Sequence, residues 1–156
     1  NPNMDTEEEF LKRLAAQKTV IESFKDINLV VGKYLPETFY AAIKGDEHLG
    51  EFSSRCTKCM NLRLENTAKY AKESGYDLFS TTLSISPYKN SNIINDLGYQ
   101  LADKYQIEYL YSNFKKEEGY KNSIKISKEL NLYRQDYCGC IYSKKEHEAK
   151  IDGSKN

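Results

Sequence analysis

Apolar positions recur at helical spacing from the start of the chain. Phe10, Leu11, Leu14, Ala15, Val20, Ile21 and Phe24 follow Thr6 and Glu9, whose separation is that of a capping box. The pattern predicts an amphipathic helix over residues 6–24. Ile27-Asn28-Leu29-Val30-Val31 is short, apolar except at Asn28 and closed by Gly32, which predicts a central strand covered on both faces. Pro36-Glu37 opens a short helical stretch that runs to Ile43 and stops at Gly45, and Gly50 to Ser54 reads as loop. The strongest helical signal covers residues 57–74, with Leu62, Leu64, Ala68 and Ala71 on its apolar side and Gly75 at the stop position. Residues 77–83 are rich in β-formers and predict a strand, followed by a Ser/Pro/Asn loop from Ser84 to Ser91. A helix over 92–104, a short strand over 108–111 and a last helix over 122–131 complete the pattern. Helices and strands alternate, so the expected fold class is α/β with a mostly parallel sheet. In such sheets ligands sit beyond the carboxyl ends of the strands, which singles out the loops after Val31, Leu83 and Tyr111.

Length and composition narrow this picture. A chain of 156 residues lies within the roughly 100–200 residues of a single domain. The expected domain runs over residues 1–143, with a polar tail over 144–156 that frays. No apolar run approaches the roughly 18 residues needed to cross a bilayer, so no membrane contact is expected. Asn1-Pro2-Asn3-Met4 has neither the basic stretch nor the apolar core of a signal peptide, and the expected address is cytoplasmic. Lys plus Arg and Asp plus Glu are 23 each, so the whole molecule projects no strong field toward nucleic acid. Contact with RNA would have to come from a local patch, for which Lys115, Lys116, Lys121, Lys125 and Lys128 supply the charge. Thirteen tyrosines could stack on unpaired bases, or simply reflect a Tyr/Lys/Asn/Ile-rich composition. His48 and His147 lie in polar surroundings without ligand-like spacing to any cysteine and read as surface residues.

The four cysteines carry the candidate chemistry. They fall as Cys56-Thr57-Lys58-Cys59 and Cys138-Gly139-Cys140. A C-x-x-C pair at the start of a helix puts both sulfurs on one face, where exposed N–H groups and the helix dipole favour thiolate. In C-G-C the glycine lets the backbone bend so that both sulfurs can address one centre. Four thiolates suit structural zinc or an iron–sulfur cluster, and stoichiometry alone does not separate the two. Disulfides and plain apolar packing are the bland alternatives, the first disfavoured by the lack of an export signal. A thioredoxin-type redox pair would have a preceding strand and no second pair, a pattern that this chain does not match.

Taken as a set, the motifs resemble a known family. Arg55-Cys56-x-x-Cys59 is followed by Leu62-Arg63-Leu64-Glu65, and Thr81-Thr82-Leu83-Ser84-x-Ser86-Pro87-x-Lys89-Asn90 lies downstream. Glu118-Gly119-Tyr120-Lys121, Ser127 and Leu132-Tyr133-Arg134-Gln135-Asp136-Tyr137-Cys138-Gly139-Cys140 come later. From Asn1 to about Ser143 the chain resembles the QueH-type epoxyqueuosine reductases. The resemblance implies a Rossmann-like three-layer fold. It implies reductive removal, without cobalamin, of the epoxide oxygen of epoxyqueuosine at the wobble position of a tRNA anticodon. It also implies a 4Fe-4S cluster and an additional iron, with Cys56, Cys59, Cys138 and Cys140 as metal ligands, and an electron donor as partner. Asp136 is the candidate oxygen ligand or proton donor, against a turn-forming aspartate. Tyr88 stands where relatives often carry histidine, so that a phenol would protonate the departing oxygen. Arg55, Ser86, Lys89, Lys121 and Arg134 are the candidate tRNA contacts. Relatives carry a further Cys-Cys motif at the end of a first strand, upstream of the residue that is Asn1 here. This chain is therefore expected to lack that strand and to present an incomplete ligand set. The competing function is a zinc-stabilised RNA-binding module without catalysis. An ATP-dependent enzyme ranks last, since neither S-G-G-x-D-S nor G-x-x-x-x-G-K-[ST] occurs.

Overall fold

The computed structural model describes residues 1–153. Its elements in chain order are α1 (Glu7–Glu22), α2 (Pro36–Ala42), α3 (Ser54–Glu73), β1 (Leu78–Phe79), a single 3₁₀ turn (Thr82–Ile85), α4 (Ser91–Tyr105), β2 (Glu108–Tyr109), α5 (Gly119–Glu129) and α6 (Ile141–Gly153). The fold is mixed α/β, dominated by helix, with one small parallel sheet. The chain groups into two compact units, Phe52–Ile124 and Asn1–Glu51 with Lys125–Asn156.

The Phe52–Ile124 unit holds the larger apolar core. On α3, Met60, Leu64, Ala68 and Ala71 recur every three or four residues and are all buried; the last three belong to the predicted stripe, whereas Leu62 is only half-buried and Met60 takes its place. Ile94 and Leu101 of α4, Phe79 of β1, and Ile107 and Tyr109 complete this core. Leu64 and Ile94 are 1% and 0% exposed, so each contributes roughly 1.5–3 kcal/mol of transfer free energy. β1 and β2 pair in parallel through Leu78 with Glu108 and Phe79 with Tyr109, and α4 makes the crossover between them. Facing Phe79 and Tyr109 rings lie 5.1 Å apart between centroids, a cross-strand aromatic pair. Helix ends follow the expected chemistry. Asn90 caps α4 by accepting from the backbone N–H of Asn92 at 2.9 Å. Beyond α3, Gly75 takes a positive φ of 75° while the Tyr76 N–H reaches back to Ala71.

In the other unit, α1 starts at Thr6, whose hydroxyl accepts from the Glu9 N–H at 3.1 Å. Met4, Phe39 and Ile43 are its buried apolar anchors. Phe10 stacks near Tyr34 at 5.5 Å, and the Tyr34 hydroxyl donates to the Met4 carbonyl at 3.0 Å.

Three expectations need correction. Residues 27–31 form no strand, and Ile27, Val30 and Val31 are about half exposed. A strand exists only as part of a ladder, and no ladder partner for this segment occurs among the described residues. The predicted strands over 77–83 and 108–111 shrink to two residues each. The first is cut short because the Thr81 hydroxyl accepts from the Leu83 N–H and turns the chain into 3₁₀ geometry. Residues 144–153, read as part of a polar tail, lie in α6, while 154–156 fall outside the described residues.

Candidate functional site

Within the Phe52–Ile124 unit, Cys56 and Cys59 sit in the first two turns of α3, as the C-x-x-C spacing predicts. Ser53 is the N-cap residue, and its carbonyl accepts from the N–H groups of Cys56 and Thr57 at 3.0 and 3.2 Å. Cys59 is buried and Cys56 half-buried. Arg55, one residue earlier, is 3% exposed and is therefore not a solvated surface cation.

The loops at the carboxyl ends of β1 and β2 are tied together by buried polar side chains that sequence reading missed. The Asn95 amide donates to the carbonyls of Ser91 and Ser112 at 2.7 and 2.9 Å. Its oxygen accepts from the Tyr109 hydroxyl and the Ser112 N–H at 2.9 and 3.0 Å. All four hydrogen-bonding positions of the amide are thereby filled. Ser84 and Ser112 pair through their hydroxyls at 3.0 Å, and the Phe114 N–H donates to Ser84 at 3.3 Å. Lys115 donates to the carbonyls of Ser86 and Lys89, which fixes the Ser86–Lys89 turn. On that turn Tyr88 is 72% exposed, and its N–H donates to the Ser86 hydroxyl at 3.3 Å. Lys121 is exposed but ion-paired with Glu118 at 2.8 Å, which offsets its charge. A Ser or Asn spaced four residues from another polar residue on an otherwise apolar helix face was the available signal for Asn95.

In the other unit the Cys138-Gly139-Cys140 loop is latched from several sides. Cys140 is buried, and its sulfur accepts from the Ser143 N–H at 3.4 Å. The Ser143 hydroxyl accepts from the Cys138 N–H at 3.1 Å and donates to Glu51 at 2.6 Å. The Gly139 carbonyl accepts from the Asp5 N–H at 2.8 Å. Gly139 has a φ of 123°, and a Cβ built on it would lie 2.4 Å from Met4 Cε. The glycine read as a hinge between the cysteines is thus required both by backbone conformation and by close approach. The guanidinium of Arg13 donates to the carbonyls of Cys138 and Tyr137 at 3.1 and 3.2 Å. The Tyr137 hydroxyl donates to Asp5 at 2.7 Å, and Lys144 pairs with the other Asp5 oxygen at 3.0 Å.

Electrostatics follow that geometry. Burial alone would raise the Asp5 carboxyl, yet the hydrogen bonds from Tyr137 and Lys144 outweigh it and hold it below its ordinary value. Burial, reinforced by the Asp5 carboxylate, pushes the Tyr137 phenol well up, and the same carboxylate raises Lys144. Asp136 and Arg134 are exposed on the preceding segment.

All four cysteines are thiols. Their soft sulfur donors suit iron or zinc, two in each unit. Within either unit, no group of three or more His, Cys, Asp or Glu side chains is placed to hold a metal ion among the described residues. Nor is any helix among them long and apolar enough to cross a membrane.

The sequence profile of the family described as "Epoxyqueuosine reductase QueH" matches residues 1–146. The epoxyqueuosine reductase QueH of Thermotoga maritima is 39% identical over 153 residues, covering 96% of this chain and 79% of that protein. Its namesake in Staphylococcus epidermidis is 37% identical over 150 residues, covering 92% of this chain and 63% of that protein. The namesake in Streptococcus pyogenes is 35% identical over 150 residues, covering 93% and 59%. The chain thus spans between about three fifths and four fifths of these relatives' length. With the profile running across both cysteine pairs and the loops between them, the chain belongs to the epoxyqueuosine reductase QueH family of oxidoreductases.

Proposed function

We propose that this chain belongs to an enzyme that reduces epoxyqueuosine in tRNA to queuosine, without cobalamin, as the last step in making that nucleoside. The observation that carries the reading is the family match over residues 1–146, which includes both thiol pairs and the Thr81–Asn90 loop. Reduction of an epoxide to an alkene consumes two electrons and two protons and releases the oxygen as water. An external donor must supply the electrons, and tRNA as substrate makes the cytoplasm the site of action. The β1–α4–β2 parallel unit supports a Rossmann-like three-layer arrangement for the complete sheet.

Cys56, Cys59, Cys138 and Cys140 would be among the ligands of a 4Fe-4S cluster and an additional iron. When bound, such iron supplies electrons and a Lewis acid for the departing oxygen. The chain's own residues then have defined tasks. α3 presents Cys56 and Cys59 at its N-terminal end, and Ser143 directs an N–H at Cys140. Exposure of Tyr88 on the turn that Lys115 braces supports its reading as the proton donor, with Asp136, also exposed, as the alternative. Ser86, Lys89 and Arg134 would position the anticodon, and Lys121 would do so by exchanging Glu118 for a phosphate; Arg55, read from the motif as a further tRNA contact, is withdrawn from solvent and is not assigned that task.

The test is anaerobic reconstitution with iron and sulfide, followed by metal analysis and an absorbance spectrum. The reading expects iron, sulfide and a broad thiolate-to-iron band. Colourless protein that retains one zinc and binds tRNA without turnover would replace it with a structural, RNA-binding role.

A further inference from the structure

One of the latches on the Cys138–Cys140 loop is an ion pair on α1. The Arg13 guanidinium uses all three of its nitrogens. Nη1 donates to the Cys138 carbonyl at 3.1 Å, Nη2 to the Tyr137 carbonyl at 3.2 Å, and Nε to Glu9 Oε1 at 2.7 Å. The other Glu9 oxygen accepts from the Tyr133 hydroxyl at 2.8 Å, at the start of the same segment. Glu9 and Arg13 are 8% and 14% exposed at their side chains, so both charges are largely withdrawn from water. A buried ion pair repays its desolvation poorly and is weak support for stability. This one instead spends its hydrogen bonds on two successive carbonyls, the second of them belonging to a cysteine. A planar fork can hold two adjacent carbonyls at fixed separation, whereas the single ammonium of lysine cannot.

We propose that Arg13, oriented by Glu9, is a positioning residue for the Cys138–Cys140 thiols. It fixes the backbone on one side of the pair while Ser143 and Asp5 fix the other. The proposal rests on the reading of Cys138 and Cys140 as working thiols, and its role is that of an outer-shell partner, whose loss typically weakens metal affinity by roughly 10–100-fold.

The experiment uses the reduced, metal-free full chain as wild type, Arg13→Gln, Arg13→Lys, Glu9→Gln and Tyr133→Phe. Two readouts are taken beside a circular-dichroism melt. One is the alkylation rate of each cysteine by iodoacetamide, resolved by peptide mass spectrometry. The other is titration with cobalt(II) alone, followed by thiolate-to-cobalt charge-transfer absorption. Arg13→Gln and Arg13→Lys are expected to speed alkylation of Cys138 and Cys140 severalfold and leave Cys56 and Cys59 unchanged. Both should weaken cobalt binding by about 10–100-fold. Glu9→Gln, which keeps one acceptor oxygen, should shift both readouts in the same direction but less. Should the Arg13 variants fail to fold, Tyr133→Phe decides the matter through a smaller acceleration confined to the same two cysteines. Full rescue by lysine, equal acceleration at all four cysteines, or unchanged rates in folded variants would overturn the proposal. A wild type that gives no cobalt band would sink the metal-ligand reading instead, and the alkylation ratio would still decide the clamp.

Discussion

Replacing Gly139 by alanine perturbs the cysteine loop at its tightest point. Two costs are separable in the structure. The backbone there has a φ of 123°, outside the region that L-residues populate, which costs about 1–3 kcal/mol. The new Cβ would also sit 2.4 Å from Met4 Cε, 3.0 Å from Met4 Sδ and 3.1 Å from Arg13 Nη1. Met4 is 2% exposed, so its thioether cannot swing into solvent, and repacking costs about another 1–3 kcal/mol. Gly75 gives the cost of a positive φ without a close contact, since it has a φ of 75° and no atom within 4 Å of a built Cβ. Its alanine variant should lose only about 1 kcal/mol. Urea unfolding of both variants, followed by far-ultraviolet circular dichroism, gives the difference directly. Gly139→Ala is expected to be less stable than wild type by about 2–6 kcal/mol and less stable than Gly75→Ala by at least about 1 kcal/mol. Equal losses in the two variants would show that the Met4 contact imposes nothing on the loop, and the close-approach reasoning would be wrong.

Other outcomes follow from the same reasoning. Leu64→Ala empties the centre of the α3 face and should cost about 2–5 kcal/mol in denaturant unfolding; a loss below about 1 kcal/mol would place Leu64 outside the core. Asn95→Ala orphans the Tyr109 hydroxyl and the Ser112 N–H, and a loss of about 2–4 kcal/mol is expected, against near neutrality if that network is not formed. Because Asp5 is held below its ordinary value, its contribution is present above about pH 4 and is lost as pH falls through the folded-state value. Asp5→Asn should therefore narrow the stability gap to wild type on acidification, and a pH-independent gap would contradict the Asp5–Lys144 pairing.

Much of this was legible from residue spacing. Most of the α3 stripe, the Gly75 stop and the Thr6–Glu9 capping box depend on neighbours within a few positions, and local spacing reports them. Ile27–Val31 was misread because a strand's existence depends on a partner far away in sequence, which an apolar run does not reveal. The cysteine pairs were visible as motifs, but their surroundings were not. Glu9 was read only as half of a capping box, whereas its carboxylate turns to Arg13 and to Tyr133, 124 residues away. The i,i+4 spacing of Glu9 and Arg13 was readable; the carbonyls that the pair would meet were not. Ser84, Asn95 and Ser112 were missed for the same reason, since buried polar residues declare themselves only through their partners.

The most direct measurement of the central claim is nucleoside mass spectrometry of tRNA carrying epoxyqueuosine, after anaerobic incubation with a chemical reductant and iron-reconstituted protein that includes the upstream Cys-Cys motif. The account predicts conversion to a nucleoside lighter by one oxygen atom and more reduced by two electrons, with that conversion abolished in Cys59→Ser and in Cys140→Ser. Unconverted epoxyqueuosine with wild type, or conversion that survives both cysteine replacements, would contradict it.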